Sequence, residues 1–498
     1  MEKEKRRGFS GFLQRISHPV DLTVGTPWKV ILQYAAPIML SYLLQQIYVL
    51  TDSVICGQVL QAEEIAGVND TFPLTFIFLQ FAFGCTAGFS VITANCVGAK
   101  DARGTRQSLL AQMYLSTGIS VVLTALSLCT LPYLLKWIHV TPENPQVYQA
   151  AYRYCFVIFI GIFAQMGYNF VCGILRAYGD SVTPLWFLVI STVLNVGLDL
   201  LFLIPFGMGP IGAAIATVAA QFLSFLGSLF YLFLRYPALR IQKEDFRLER
   251  KFLYMHLKNG LPLGFQFSIL AIGIIVMQGA VVKFDLTESG RMVASAPAQN
   301  GYGAANKLIN FLMSFFNGLG SAILGYNAQN FGKNRQDRVR RGTLQALLMM
   351  LMLSVFCLAI GGLLSLHGAY QYVFMSADKV SEASIRYGNT FLYVDLALYA
   401  ILGFLIVTRS AVQGICQSGY VLGAGIAELI ARIVICTVLP AAVNGGEVNA
   451  SASAAAFVAV CLGDPGAWIA ASAVLLIPFC GGILRSKKTE DHEITAKL

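Results

Sequence analysis

Twelve apolar runs, each long enough to cross the ~30 Å hydrocarbon layer of a bilayer as a helix, limit what this chain can fold into. They lie at roughly 28–56, 66–97, 108–137, 150–175, 183–204, 210–235, 258–283, 302–330, 341–367, 384–412, 418–441 and 466–484. Within hydrocarbon every backbone N–H and C=O must be bonded inside the protein, so only helices and closed barrels span it. A barrel would show short segments of alternating polarity; these runs are continuous. The predicted fold class is an all-α polytopic membrane protein of about twelve transmembrane helices. A composition of 56% hydrophobic and 12% charged residues fits that class.

The charges that remain sort by side. Lys and Arg fall at positions 3–7, at Lys100, Arg103 and Arg106, at Arg176, through 235–258 and 333–341, at Arg409 and through 485–488. Those are the two termini and every second connection, which the positive-inside rule places in the cytoplasm. The intervening loops carry Glu63, Glu64, Glu143, Asp285, Glu288 and Glu447. The formal charge of +9 is thus a topological signal and does not call for nucleic acid as a partner. The first apolar run begins near Trp28, too late and too long for a cleaved signal peptide, so it reads as a retained first helix. The eleven cysteines form no CxxC pair and read as reduced, core-type residues.

The chain also resembles itself. Ala35-Ala36-Pro37 has a counterpart in Gly260-Leu261-Pro262, Ala66-Gly67-Val68-Asn69 in Gly303-Ala304-Ala305-Asn306, and Gly212-Ala213-Ala214 in Gly466-Ala467-Trp468, at separations of 225 to 255 residues. The expected organisation is two pseudo-symmetric six-helix bundles: a cytoplasmic segment 1–27, an N-terminal lobe 28–235, a linker 236–257, a C-terminal lobe 258–484 and a tail 485–498. Because six is even, both lobes start on the same side and are related by an axis along the membrane normal, an arrangement suited to alternating access. Pro37 and Pro262 each remove a backbone hydrogen bond inside the first helix of a lobe and are candidate bend points.

Two carboxylates interrupt the apolar runs: Asp52 near the end of the first and Asp199 in the fifth, four residues after Asn195. An ionisable group at membrane depth costs at least a few kcal/mol and marks an ion or substrate path. Positions i and i+4 share a helix face, so Asn195 and Asp199 present an amide and a carboxylate to one point. Such oxygens suit a small hard cation. These features point to a coupled transporter.

Several motifs together are more specific. They are Pro37 with Asp52 in Thr51-Asp52-Ser53, the exit Gly98-Ala99-Lys100-Asp101, Leu175-Arg176-Ala177-Tyr178-Gly179-Asp180 before Pro184, the Asn195/Asp199 pair, and Gln413-Gly414. In these the chain resembles the multidrug and toxic compound extrusion (MATE) family, prokaryotic type, over essentially its whole length. The resemblance implies a V-shaped pair of lobes exporting amphipathic, cationic organic compounds in exchange for inward Na⁺ or H⁺. It implies a coupling site in the N-terminal lobe at Asp52, Asn169, Asn195, Asp199 and Thr217, with Na⁺ held at Asp52, Asn195 and Asp199. Cavity aromatics such as Tyr42, Tyr48, Phe72 and Phe76 are available for stacking on flat cations.

The C-terminal half lacks an equivalent pattern. Aligning the halves puts Arg432 opposite Asn195 and Cys436 opposite Asp199, while Gln266 stands in the seventh run where some family members have an acid. Glu428 and Arg432, four apart, are expected to pair, and with Gln266 they are the candidate cavity residues of that half. No Walker-type phosphate loop is present, so ATP is not expected as the energy source. The five histidines show no metal-ligand spacing. A membrane-embedded enzyme would need a buried nucleophile and base, and His139 and His367 fall at the edges of runs. The alternative transport function is a lipid-linked precursor flippase, for which a cationic cavity would be expected. The expected state is a monomer in the cell membrane, both termini cytoplasmic, with the bilayer and a small organic substrate as partners.

Overall fold

The computed structural model describes residues 19–293, 295–375 and 380–485. The basic residues at 3–7, Lys487 and Lys488, which bear on topology, lie outside the described residues. Within them the chain is helical almost throughout. The first half comprises α1 (Pro27–Val59), α2 (Ala62–Asp70), α3 (Phe72–Gly98), α4 (Ala102–Trp137), α5 (Pro145–Ile160), α6 (Ile162–Ala177), α7 (Val182–Leu203) and α8 (Pro210–Arg235). The second comprises α9 (Arg250–Val282), α10 (Pro297–Gly332), α11 (Gln336–Ser365), α12 (Ala369–Phe374), α13 (Glu382–Ala397), α14 (Tyr399–Gly414), α15 (Ser418–Asn444), α16 (Ala454–Cys461) and α17 (Gly463–Pro478).

Ten helical segments are long and apolar enough to cross a bilayer, and twelve when each bent pair counts as one span. The bent pairs are α5/α6, turned by 42°, and α13/α14, turned by 53°. Val121, Val122, Phe230 and Met352 are largely exposed, the arrangement expected where the solvent for the outer surface is lipid. One end of the bundle, the terminal face, carries the start of α1 and the connections at 98–102, 177–182, 235–250, 332–336 and 414–418. The opposite end, with the connections at 59–72, 137–145, 203–210 and 444–454, is the distal face.

The structure differs from the sequence expectations in two places. The apolar pattern starts the second run at 66, but 62–70 form the separate helix α2, closed by a capping box between Gln61 and Glu64, and α3 restarts at Phe72-Pro73. The twelfth span begins not at 466 but at Ala454, where the Ser453 side chain accepts the Ala456 amide and caps α16. Pro37 and Pro262 lie inside the continuous helices α1 and α9, and two sharp bends between paired helices come at Gly161 and Leu398.

The halves meet along two seams. On the first, α3 packs on α9: a Cβ on Gly84 would strike the Leu263 carbonyl and one on Gly88 the Asn259 carbonyl. Without a hydrophobic driving force in lipid, backbone approach between small residues supplies the association. On the second, α1 packs on α10, with the Tyr42 hydroxyl 3.2 Å from Ser321 Oγ.

Candidate cation site

Three helices bring the N-terminal site together. α1 carries Tyr48 and Asp52, α7 carries Asn195 and Asp199 one turn apart, and α8 carries Thr217. Asp199 and Asn195 are buried, at 0% and 1% exposure, and Asp52 is half-buried. The Asp52 and Asp199 carboxyls are near enough for each to feel the other's charge. Asn195 Nδ2 donates to Thr217 Oγ1 at 3.4 Å, which orients the amide so that its oxygen is free. Tyr48 approaches the same hydroxyl at 3.5 Å. Tyr154 of α5 lies within electrostatic reach of Asp52.

The chemistry follows from what is left unbonded. Asp52 Oδ1, Asn195 Oδ1 and both oxygens of Asp199 are buried without a hydrogen-bond partner among the described residues. Buried acceptors are ordinarily satisfied, and an orphan carries a desolvation cost of about 1–3 kcal/mol, more when charged. Four orphan oxygens, three from the two carboxylates and one from the Asn195 amide, with Thr217 Oγ at hand, fit a small hard cation or a shared proton. Of the five sequence candidates the structure gathers Asp52, Asn195, Asp199 and Thr217. Asn169, half-buried on α6, makes no hydrogen bond to any of the four.

The second half holds a different arrangement. Arg409 Nη2 lies 2.6 Å from Glu428 Oε2, and Arg432 Nη2 lies 3.5 Å from Glu428 Oε1 and 2.7 Å from Asp464 Oδ1. The expected Glu428/Arg432 pair is present, but Arg409 and Asp464 join it into a chain of four charges. Asp395, buried on α13, is close enough to Asp464 and Arg432 to feel both. Gln266 is buried beneath Gly425 with neither amide atom bonded among the described residues. Sequence reasoning misses Asp464, although an acid followed by Pro465 within an apolar stretch is a signal of the kind that reveals Asp52.

A family model described as MatE matches residues 37–201 and 292–438, well over half of the chain. The chain belongs to the MatE family. Its curated relatives include the probable multidrug resistance protein YpnP of Bacillus subtilis, 31% identical over 64% of this chain and 68% of that protein. The FAD transporter of Shewanella oneidensis is 22% identical over 65% of this chain and 70% of that one. The fold matches a solved multidrug resistance MATE transporter of the MOP superfamily in its outward-facing conformation, with a TM-score of 0.78 at 20% identity, covering 94% of this chain and 97% of that one. The MatE relatives and the solved MATE folds are transporters, and this chain shares their multi-pass helical architecture.

Proposed function

We propose that this protein is a secondary active antiporter that exports amphipathic, cationic drugs or metabolites in exchange for inward Na⁺ or H⁺. The single observation that carries the reading is the Asp52–Asp199 pair with its orphan oxygens. In this reading the lobes are 28–235 and 258–484, joined by 236–257, and a monomer holds both termini in the cytoplasm. The multidrug names of the relatives support the substrate class.

Alternating access draws support from where the halves touch. At the terminal face Gln329 Nε2 of α10 donates to the Ala177 carbonyl at 2.7 Å. There too a Cβ on Gly98 would strike the Gln329 backbone, and one on Gly332 the Asn95 backbone. Beyond Tyr42, α1 makes no hydrogen bond to the second half among the described residues. A bundle held together at the terminal face, with α1 unbonded to the second half beyond Tyr42, suits a state open to the outside.

The test is efflux of a fluorescent organic cation from proteoliposomes, with Na⁺ and pH gradients imposed separately. One gradient is expected to drive wild-type efflux, and Asp52→Asn and Asp199→Asn to abolish the dependence. Normal ion-dependent export by Asp52→Asn would refute the assignment.

A further inference from the structure

An ion that works at the Asp52–Asp199 pair must reach it, and the fold offers a place to start. At the distal face Gln61, Glu63, Glu64, Gln149, Arg153 and Gly209 border a polar cavity of about 280 Å³. It sits where the helices of the cation site emerge. Gln61 follows α1, the stretch 207–209 joins α7 to α8, and Pro210, the first residue of α8, lines it as well.

Helix rise sets the depth. At about 1.5 Å per residue, Asp52 lies roughly 10 Å below the end of α1, Asp199 roughly 6 Å below the end of α7, and Thr217 roughly 10 Å below the start of α8. On α5, Gln149 and Arg153 border the cavity, while Tyr154, on a neighbouring face of the same helix, lies within electrostatic reach of Asp52. Between cavity and acids stands an apolar layer of Cys56, Leu60, Leu203 and Ala213. Beneath that layer are the unbonded oxygens of Asp52, Asn195 and Asp199.

Glu64 is held in place at the rim. Glu64 Oε2 accepts the Gln61 amide at 3.1 Å. Its other oxygen lies against Gly209, which holds φ at +60° and where a Cβ would crowd the carboxylate. Glu63 and Glu64 outnumber Arg153, so the lining carries a net negative charge. A concave, negatively charged mouth over low-dielectric walls raises the local concentration of cations.

We propose that this cavity is the vestibule through which the coupling cation, Na⁺ or a proton, enters the N-terminal half. Glu63 and Glu64 concentrate the cation, Arg153 limits it, and Leu60, Leu203 and Ala213 form the apolar gate above the carboxylates. The inference rests on the coupling function proposed above.

The test reads the ion concentration that gives half-maximal efflux in proteoliposomes. Glu63→Gln with Glu64→Gln, which keeps an acceptor for the Gln61 amide, is expected to raise it several-fold, more than it alters the maximal rate. Arg153→Gln is expected to lower it. Both shifts should shrink when KCl is added, since salt screens exposed charge. Should a rim variant fold poorly, Gln149→Cys labelled from the distal face gives the same reading: a cationic thiol reagent raises the half-maximal concentration and an anionic one lowers it. Shifts that are absent, or of one sign for both charge changes, overturn the vestibule. Loss of ion dependence in Asp52→Asn alongside wild-type behaviour of every rim variant sinks this inference alone. No ion-driven efflux by the wild type sinks the coupling function and the vestibule with it.

Discussion

The Val20 amide donates to the Gly179 carbonyl at 3.0 Å, tying the segment ahead of α1 to the turn between α6 and α7. The same segment is held from the other half. Asn330 Nδ2 donates to the Leu22 carbonyl at 3.0 Å, Lys333 Nζ to Thr23 Oγ1 at 2.9 Å, and Arg338 Nη1 to the Gly25 carbonyl at 2.8 Å. Residues 20–25 are therefore a strap across the terminal face. Any motion that opens this face must release one end of it.

Arg338 is the strap's main anchor, since it also donates to Asn330 Oδ1 at 2.9 Å. Arg338→Ala is expected to cost about 1.5–3 kcal/mol, the range for hydrogen bonds to a charged group. The loss should fall on the state closed at the terminal face. Alkylation of Cys416, which accepts a hydrogen bond from Asn95 across the seam, should then speed up, read by mass spectrometry of its peptide. An unchanged rate would show that the strap is not what holds the face shut.

Asp52 and Asp199 should behave as one unit. Groups that share one ion or one proton are strongly non-additive when removed together. Asp52→Asn and Asp199→Asn are each expected to lower ion-driven efflux by more than about tenfold, with the double variant no worse than the weaker single one. Measured losses that multiply would mean that the two carboxyls act separately.

Which features are legible in the chain depends on which forces are local. Bilayer length and backbone satisfaction act on contiguous runs, so the helices can be read from the sequence, and the one-turn spacing of Asn195 and Asp199 by itself puts both on one face. The breaks at Gly161 and Leu398 are less legible, because neither is a proline and a lone Gly or Leu inside an apolar run does not by itself fix a bend. Asp464 escapes notice because its partner Arg432 lies on another helix, and only tertiary approach pairs them. Asn169 shows the converse: a family pattern places it at the site, yet the α6 backbone gives it no bond to the other four.

The charge chain of the second half makes a signed prediction about stability. Glu428 accepts from Arg409 at 2.6 Å and lies 3.5 Å from Arg432, so Glu428→Leu strands a largely buried guanidinium and should cost about 3–5 kcal/mol. Adding Arg409→Met removes the stranded charge, while Arg432 keeps Asp464 at 2.7 Å. The double variant is thus expected to unfold at a higher temperature in detergent than the single one. The reverse order would mean that Arg409 finds another partner or reaches lipid headgroups.

Outside the spans, Asp245 in the connection between α8 and α9 ties that connection to α4. Burial alone would raise its pKa, but the Arg106 guanidinium at 2.8 Å and the Gln242 amide at 2.8 Å hold it below the usual carboxylate value. A depressed folded-state pKa contributes stability that is fully present above the unfolded value of about 3.9 and is lost as pH falls through the folded one. Asp245→Asn should therefore lower the unfolding temperature at pH 7, by an amount equivalent to about 2 kcal/mol. The gap between variant and wild type should start to narrow below about pH 4, where the unfolded chain's carboxyl takes up a proton, and close as pH falls through the lower folded-state value. Thermal unfolding of both proteins in detergent across that range decides it. A gap that persists undiminished at pH 3 would place the cost of the substitution in packing instead of in the Arg106 contact.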